Sequence, residues 1–221
     1  MMNFAIPPSE TVSLPIAGTD KRFPIRRIYC VGKNYADHVK EMGGDVSRSK
    51  PVIFTKAPET IVQSGADIPY PPNTENLHYE VELVVAMGPS DINDGIFGYG
   101  VGIDMTRRDL QAKAKAKGWP WDRAKNFHLS APCSALTMAN EVDLTDATIE
   151  LRKNGEIVQH SALNKMIWSV DEIIDYLRTD MDLQAGDLIY TGTPAGVGPV
   201  IAGDELSGEI DGLERIMVGF V

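Results

Sequence analysis

At 221 residues with 43% hydrophobic side chains, the chain can bury a substantial core as one large domain or two small ones. Its formal net charge of −10, with no cationic stretch denser than the alternating Lys113, Lys115 and Lys117, argues against nucleic acid as a partner. Cys30 and Cys133 form no Cys-x-x-Cys pattern, and neither a leader peptide nor an apolar run of roughly 18 residues is present, so a reducing cytoplasm is expected, with no export and no membrane span.

Residues 1–24 read as an irregular, Pro-containing lead and 25–221 as a single domain. Ile25 to Gly32 is a strand running into a glycine turn, and a short helix should follow from about Tyr35 to Met42, stopped by Gly43-Gly44. Pro51 to Lys56 is the next strand, and a loop containing Pro69-Tyr70-Pro71-Pro72 leads to His78-Tyr79-Glu80-Val81-Glu82-Leu83-Val84-Val85-Ala86-Met87. A strand sends residues i and i+2 to one face, so Glu80 and Glu82 stand side by side. Two carboxylates in apolar company need a positive partner, and oxygen ligation suits Mg²⁺, Mn²⁺ or Ca²⁺ better than zinc. The same alternation also fits a strand whose second face meets water.

Phe97 to Asp104 is a glycine-spaced strand where another backbone can come close. Thr106 and Asp109 resemble a capping arrangement for a helix ending at Gly118, which leaves Asp104 at a strand exit as the third candidate ligand. His78 shares the strand face of both glutamates and permits a rival His-Glu-Glu site. Asn154-Gly155 marks a type I′ hairpin, Ser169 to Glu172 a capping box before a helix of about three turns, and Gly186 to Pro194 a strand and turn ahead of two final β segments near Ile216 to Val218. β-dominated structure with a few short helices, an α+β fold, is the expected class.

Three further features carry chemistry. His38 and Glu41, three apart on the short helix, share a face, and a carboxylate beside an imidazole fixes its tautomer and raises its basicity; alone, such a pair also fits a surface contact. Lys125 stands in an aromatic-flanked segment that suggests an anion partner, or else a snorkelling lysine. Thr191 to Gly198 could present hydroxyls and amides to a carboxylate, but it is no Walker loop, and neither Gly-x-Ser-x-Gly nor a dinucleotide fingerprint occurs. His128 and His160 have no comparable partner.

Taken together, Arg26 to His38, His78 to Leu83, Gly102 to Gln111 and Thr191 to Gly198 resemble the fumarylacetoacetate hydrolase family, in particular its short acylpyruvate and fumarylpyruvate hydrolases. The resemblance implies a mixed β-sandwich roll, usually a homodimer, with Glu80, Glu82 and Asp104 holding one Mg²⁺ or Mn²⁺ per subunit. It makes His38 and Glu41 the water-activating dyad and puts Lys125, Gln111 and Thr193 at the site of a small 2-oxo acid. Oxaloacetate decarboxylation, isomerisation of dienoic oxo acids and a catalytically silent binding module remain the alternatives. The connection between Met87 and Gly98 is shorter than the family's usual one.

Overall fold

The computed structural model describes residues 4–43, 50–90 and 95–221. Gly44 of the expected helix stop and residues 91–94 of the short connection lie outside them. Two curled sheets make the body. The larger runs Val52–Lys56, Arg27–Gly32, Asp187–Tyr190, Val81–Met87, Ile96–Ile103, Ala131–Cys133, Ile61–Gln63, with parallel pairing only where Asp187–Tyr190 meets Arg27–Gly32 and Ala131–Cys133 meets Ile61–Gln63. The smaller runs Glu156–Ala162, Thr148–Lys153, Glu205–Ile210, Ile216–Phe220, Ala66–Ile68. The family-type mixed β roll with short helices is therefore the fold.

Strand Val81–Met87 is buried on both faces, which is why it reads as a nearly continuous apolar run. Leu83 and Val85 enter the core shared by the two sheets, with Val101, Ile149, Leu151, Leu206 and Val218, while Val84 and Ala86 enter a second cluster with Ile28, Leu188 and Tyr190. Each such side chain contributes about 1.5–3 kcal/mol by leaving water. No face of this strand is left for solvent, so the Glu82 carboxylate cannot be one that simply meets water.

The lead is more ordered than expected. Ser13–Pro15 pairs antiparallel with Arg22–Pro24, and Leu14 and Phe23 close the second cluster. The glycine-spaced strand behaves as its sequence suggests at Gly98, where a Cβ would collide with the backbone oxygen of Thr137 on the adjoining strand. The Asn154-Gly155 hairpin turns with both residues at positive φ, and Ser169 caps the Val170–Asp180 helix through a reciprocal bond with Glu172.

Helix Arg108–Lys117 ends at Gly118 in the left-handed conformation but does not begin as expected. Thr106 belongs to a two-residue strand, its hydroxyl reaching the Asp104 carbonyl, and Asp109 accepts from Thr74 and Leu110 instead of capping. Among the described residues no helix is long and apolar enough to cross a membrane.

Candidate active site

The ten-residue run holding the two glutamates is not one strand. Leu77–Tyr79 pairs in a small sheet with Thr106–Arg107 and Gly198–Val200, Val81–Met87 pairs in the large sheet, and Glu80 is the joint. Its carbonyl accepts from Asp104 N–H (2.8 Å), and the next amide, Val81 N–H, donates to Gln159 Oε1 (3.0 Å). The joint thus couples the backbone of one acid to that of another from the neighbouring strand exit. Glu80, Glu82 and Asp104 are all buried, and a carboxylate oxygen of each lies within 4.8 Å of the others.

His78 does not join them. Its Nδ1 accepts from Arg108 and its Nε2 meets Asn76 Oδ1 at 2.9 Å, while burial, then Arg108, lower its pKa to about 4. A neutral ring beside a guanidinium is the result, and the rival His-Glu-Glu site does not form among the described residues.

Three cations face the three acids. Lys125 Nζ donates to Glu80 Oε2 (2.6 Å), Thr106 Oγ1 (2.6 Å) and Asp104 Oδ2, and Arg108 pairs with Glu80 Oε1. Lys56, 2% exposed, lies 2.9 Å from Asp104 Oδ1 without hydrogen-bond alignment, while donating to the Lys125 carbonyl and Ser130 Oγ. Burial alone would raise the Glu80 pKa, but Lys125 and Arg108 outweigh it and hold the carboxyl well below its usual range. Glu82 goes the other way: burial, then Asp104 and Glu80, push it well above the carboxylate range despite the bond from Gly192 N–H (2.8 Å). Lys125 would lose its proton to burial, yet Asp104 and Glu80 keep its pKa raised.

This cluster fits a hard divalent cation. Asp104 Oδ1 is fully buried with no hydrogen-bond donor, Glu82 is anionic only at a cost, and the donors are all oxygen. Glu80, Glu82 and Asp104 are the residues that could hold it.

A cavity of about 320 Å³ opens on the three acids, and His38, Lys125, Gln111 and Thr193 line it too. Glu41 stands behind His38, with its Oε2 3.2 Å from Nδ1 and its carboxylate accepting from Gly196 N–H. With Nδ1 engaged, Nε2 is the nitrogen left for the cavity. Gln111 Oε1 is taken by Arg108 Nη1 at 2.6 Å, so its amide N–H groups remain for a ligand. Thr193 Oγ1 accepts from Gln159 Nε2 (2.8 Å), which frees its proton in the same way.

The loop expected to offer amides to a substrate carboxylate spends two of them on the protein's own acids, Gly192 on Glu82 and Gly196 on Glu41. Gly192 has φ 101°, and a Cβ there would lie 2.7 Å from that of Asn34. Asn34, fully buried, in turn bonds the Thr191 carbonyl and both polar backbone atoms of Trp168, which fixes the start of the His38 helix against this loop.

Sequence reasoning passed over Lys56, Arg108, Asn34 and Gln159. Gln159 is 1% exposed and its amide spans Val81 N–H, Thr193 Oγ1 and the Pro194 carbonyl. Gln159→Leu should therefore lower stability by about 2–3 kcal/mol through three unpaired groups, and raise KM more than it lowers kcat, because Thr193 loses its orientation. Denaturant midpoints and steady-state kinetics read the two effects; an unchanged KM removes the link to Thr193.

Residues 27–219 match the family model for the fumarylacetoacetate hydrolase C-terminal domain. A fumarylpyruvate hydrolase of Ralstonia is 46% identical over 184 residues, 79% of this chain and 96% of that protein. A mitochondrial oxaloacetate tautomerase of Homo sapiens is 42% identical over 196 residues, 85% of this chain and 88% of its own. The crystal structure of fumarylpyruvate hydrolase from Pseudomonas aeruginosa in complex with Mn²⁺ and pyruvate superposes with TM-score 0.95 at 43% identity, covering 99% of both chains. With the match running through both sheets and every element that carries the acid cluster, this chain belongs to the fumarylacetoacetate hydrolase family.

Proposed function

We propose that the protein is a divalent-metal-dependent hydrolase of acylpyruvates, fumarylpyruvate being the best-supported substrate and fumarate and pyruvate the products. The observation that carries this reading is one cavity bounded both by three buried carboxylates and by an imidazole whose second nitrogen is held by a carboxylate. Mn²⁺ and pyruvate in the similar Pseudomonas enzyme support it.

Glu80, Glu82 and Asp104 would hold Mg²⁺ or Mn²⁺, which when bound supplies Lewis-acid stabilisation of negative charge on the pyruvate end. Gln111 N–H and Thr193 O–H bind that end's carboxylate and fix its orientation. His38 Nε2 takes a proton from water, and the hydroxide adds to the distal acyl carbonyl. Collapse of this adduct breaks the carbon–carbon bond: the acyl group leaves as a carboxylic acid, and the bonding pair passes to pyruvate as its enolate. The proton held on His38 returns to the enolate carbon, so the balance is one water consumed. Glu41, held by Gly196, stabilises the imidazolium in between.

A second reading is oxaloacetate tautomerisation, the activity named for relatives from Homo sapiens and Escherichia coli that are 42% and 39% identical. It uses the same acids and a proton-moving His38 but no attack by water. Purified protein with Mn²⁺ should cleave fumarylpyruvate, lose cleavage to a chelator and regain it on adding metal. Enol–keto exchange of oxaloacetate without cleavage of any acylpyruvate would favour the tautomerase instead.

A further inference from the structure

Beside the acid cluster the same cavity has an apolar wall with its own chemistry. Val31, Val52, Phe54 and Trp121 form this wall, which starts at Phe54, whose ring centroid lies 5.0 Å from Lys125 Nζ, and continues to Trp121, the two ring centroids 5.9 Å apart, and Lys33 and Lys115 also line the cavity. Lys115 Nζ sits 5.3 Å over the Trp121 ring. Among the described residues neither lysine makes an ion pair. Among the described residues, therefore, the cavity's acids are paired with Lys56, Arg108 and Lys125, while Lys33 and Lys115 line it without an ion-pair partner.

From this geometry we infer that Lys115, assisted by Lys33, forms a subsite for a second carboxylate at the far end of the acyl chain, making the protein selective for dicarboxylic acylpyruvates with a flat, conjugated spacer. The inference rests on the hydrolase reading above and names its substrate class.

Spacing supports the assignment. Arg108, Gln111 and Lys115 occupy one face of helix Arg108–Lys117 at i, i+3 and i+7. The helix sets Arg108 against the acid cluster and Gln111 at the pyruvate end, and Lys115 follows four residues, about 6 Å along the axis, farther on. Oxaloacetate, with four carbons, would stop short of it. A planar enone can stack on one of the Phe54 and Trp121 rings, which are tilted 55° to each other, whereas a chain without a terminal carboxylate would leave the two lysines without an anion.

Lys33 adds an independent observation. It is a non-glycine residue at φ 64°, a left-handed conformation rare for a long side chain, and it is locked there between Gly32 and the fully buried, triply bonded Asn34. The surroundings impose this backbone and send the lysine to the cavity rim. Burial, then the Arg108 charge, lower the Lys115 pKa against the opposing pull of Glu80.

The test compares fumarylpyruvate with acetylpyruvate, which lacks the second carboxylate, in the Mn²⁺-loaded parent and in Lys115→Met, Lys115→Arg and Lys33→Met. The preference for fumarylpyruvate, as a ratio of kcat/KM values, should fall about tenfold in Lys115→Met and several-fold in Lys33→Met, mainly through KM, and recover in Lys115→Arg. Equal losses on both substrates, or an unchanged ratio, overturn the subsite alone. A parent that cleaves neither substrate overturns the hydrolase reading and the subsite with it. A folded Lys115→Glu with the preference reversed toward acetylpyruvate would complete the case from the opposite charge.

Discussion

Replacing His38 by alanine is expected to lower kcat for acylpyruvate cleavage by about 10²-fold or more, the usual scale for loss of a general base, while Mn²⁺ still binds. His38 is 8% exposed, lines the cavity beside the acids and has Nδ1 committed to Glu41. No other histidine approaches this position. His78 is turned to Arg108, His160 faces Glu150 at the surface, and His128 is exposed. Glu41→Gln keeps a hydrogen-bonding partner for Nδ1 but removes the charge that favours imidazolium, so its loss should be smaller, about tenfold, and should appear in kcat. Calorimetric Mn²⁺ titration and stopped-assay kinetics on the same samples separate the functions. Undiminished cleavage by His38→Ala would end the role, whereas lost cleavage with retained oxaloacetate exchange would assign it specifically to activating water.

The acid cluster was legible because strand spacing encodes side-chain direction directly: Glu80 and Glu82 are two apart, and Asp104 follows a glycine-spaced strand. What spacing could not show is that Glu80 is a joint between two sheets. That break lies on one side only: Gln159 takes the Val81 N–H where the neighbouring strand changes from Gly198–Val200 to Asp187–Tyr190, while the Asp104 N–H to Glu80 bond keeps the pairing on the other side in register. The counter-ions were hidden for a similar reason. Lys56 looks like the polar end of an apolar strand, and only the antiparallel pairing of that strand at the sheet edge sets it against Asp104. Arg107 and Arg108 are indistinguishable by composition; the helix period relates Arg108, not Arg107, to Gln111, a signal available in the sequence. The Thr191-Gly192 turn reaches Asn34 through a parallel pairing of segments some 160 positions apart, Tyr190 with Cys30, and no local pattern specifies such a partner.

Lys125→Met is expected to destabilise the metal-free protein by about 3–5 kcal/mol, the range for removing one member of a buried ion pair, and to make Mn²⁺ a stronger stabiliser than it is in the parent. The ammonium is 2% exposed and bridges Glu80 and Asp104, with Thr106 as its third acceptor. Of the three cations at the acids, Lys56, Arg108 and Lys125, only Lys125 bonds two acids at once. Methionine keeps much of the volume but removes the charge between the buried Glu80 and Asp104 carboxylates. A divalent ion at the same oxygens supplies the missing charge, so the stability regained on saturation should exceed the parent's, and by linkage the variant should bind Mn²⁺ more tightly. Under the proposed mechanism turnover should nevertheless fall, because the fixed positive charge that would stand beside the pyruvate enolate is gone. Lys125→Arg retains charge, yet a planar guanidinium does not match three close acceptors arranged around a compact ammonium, and it should recover stability only in part. Denaturant midpoints with and without Mn²⁺ decide the matter. Equal midpoints for Lys125→Met and the parent in the absence of metal would mean that the lysine does not hold the two acids together.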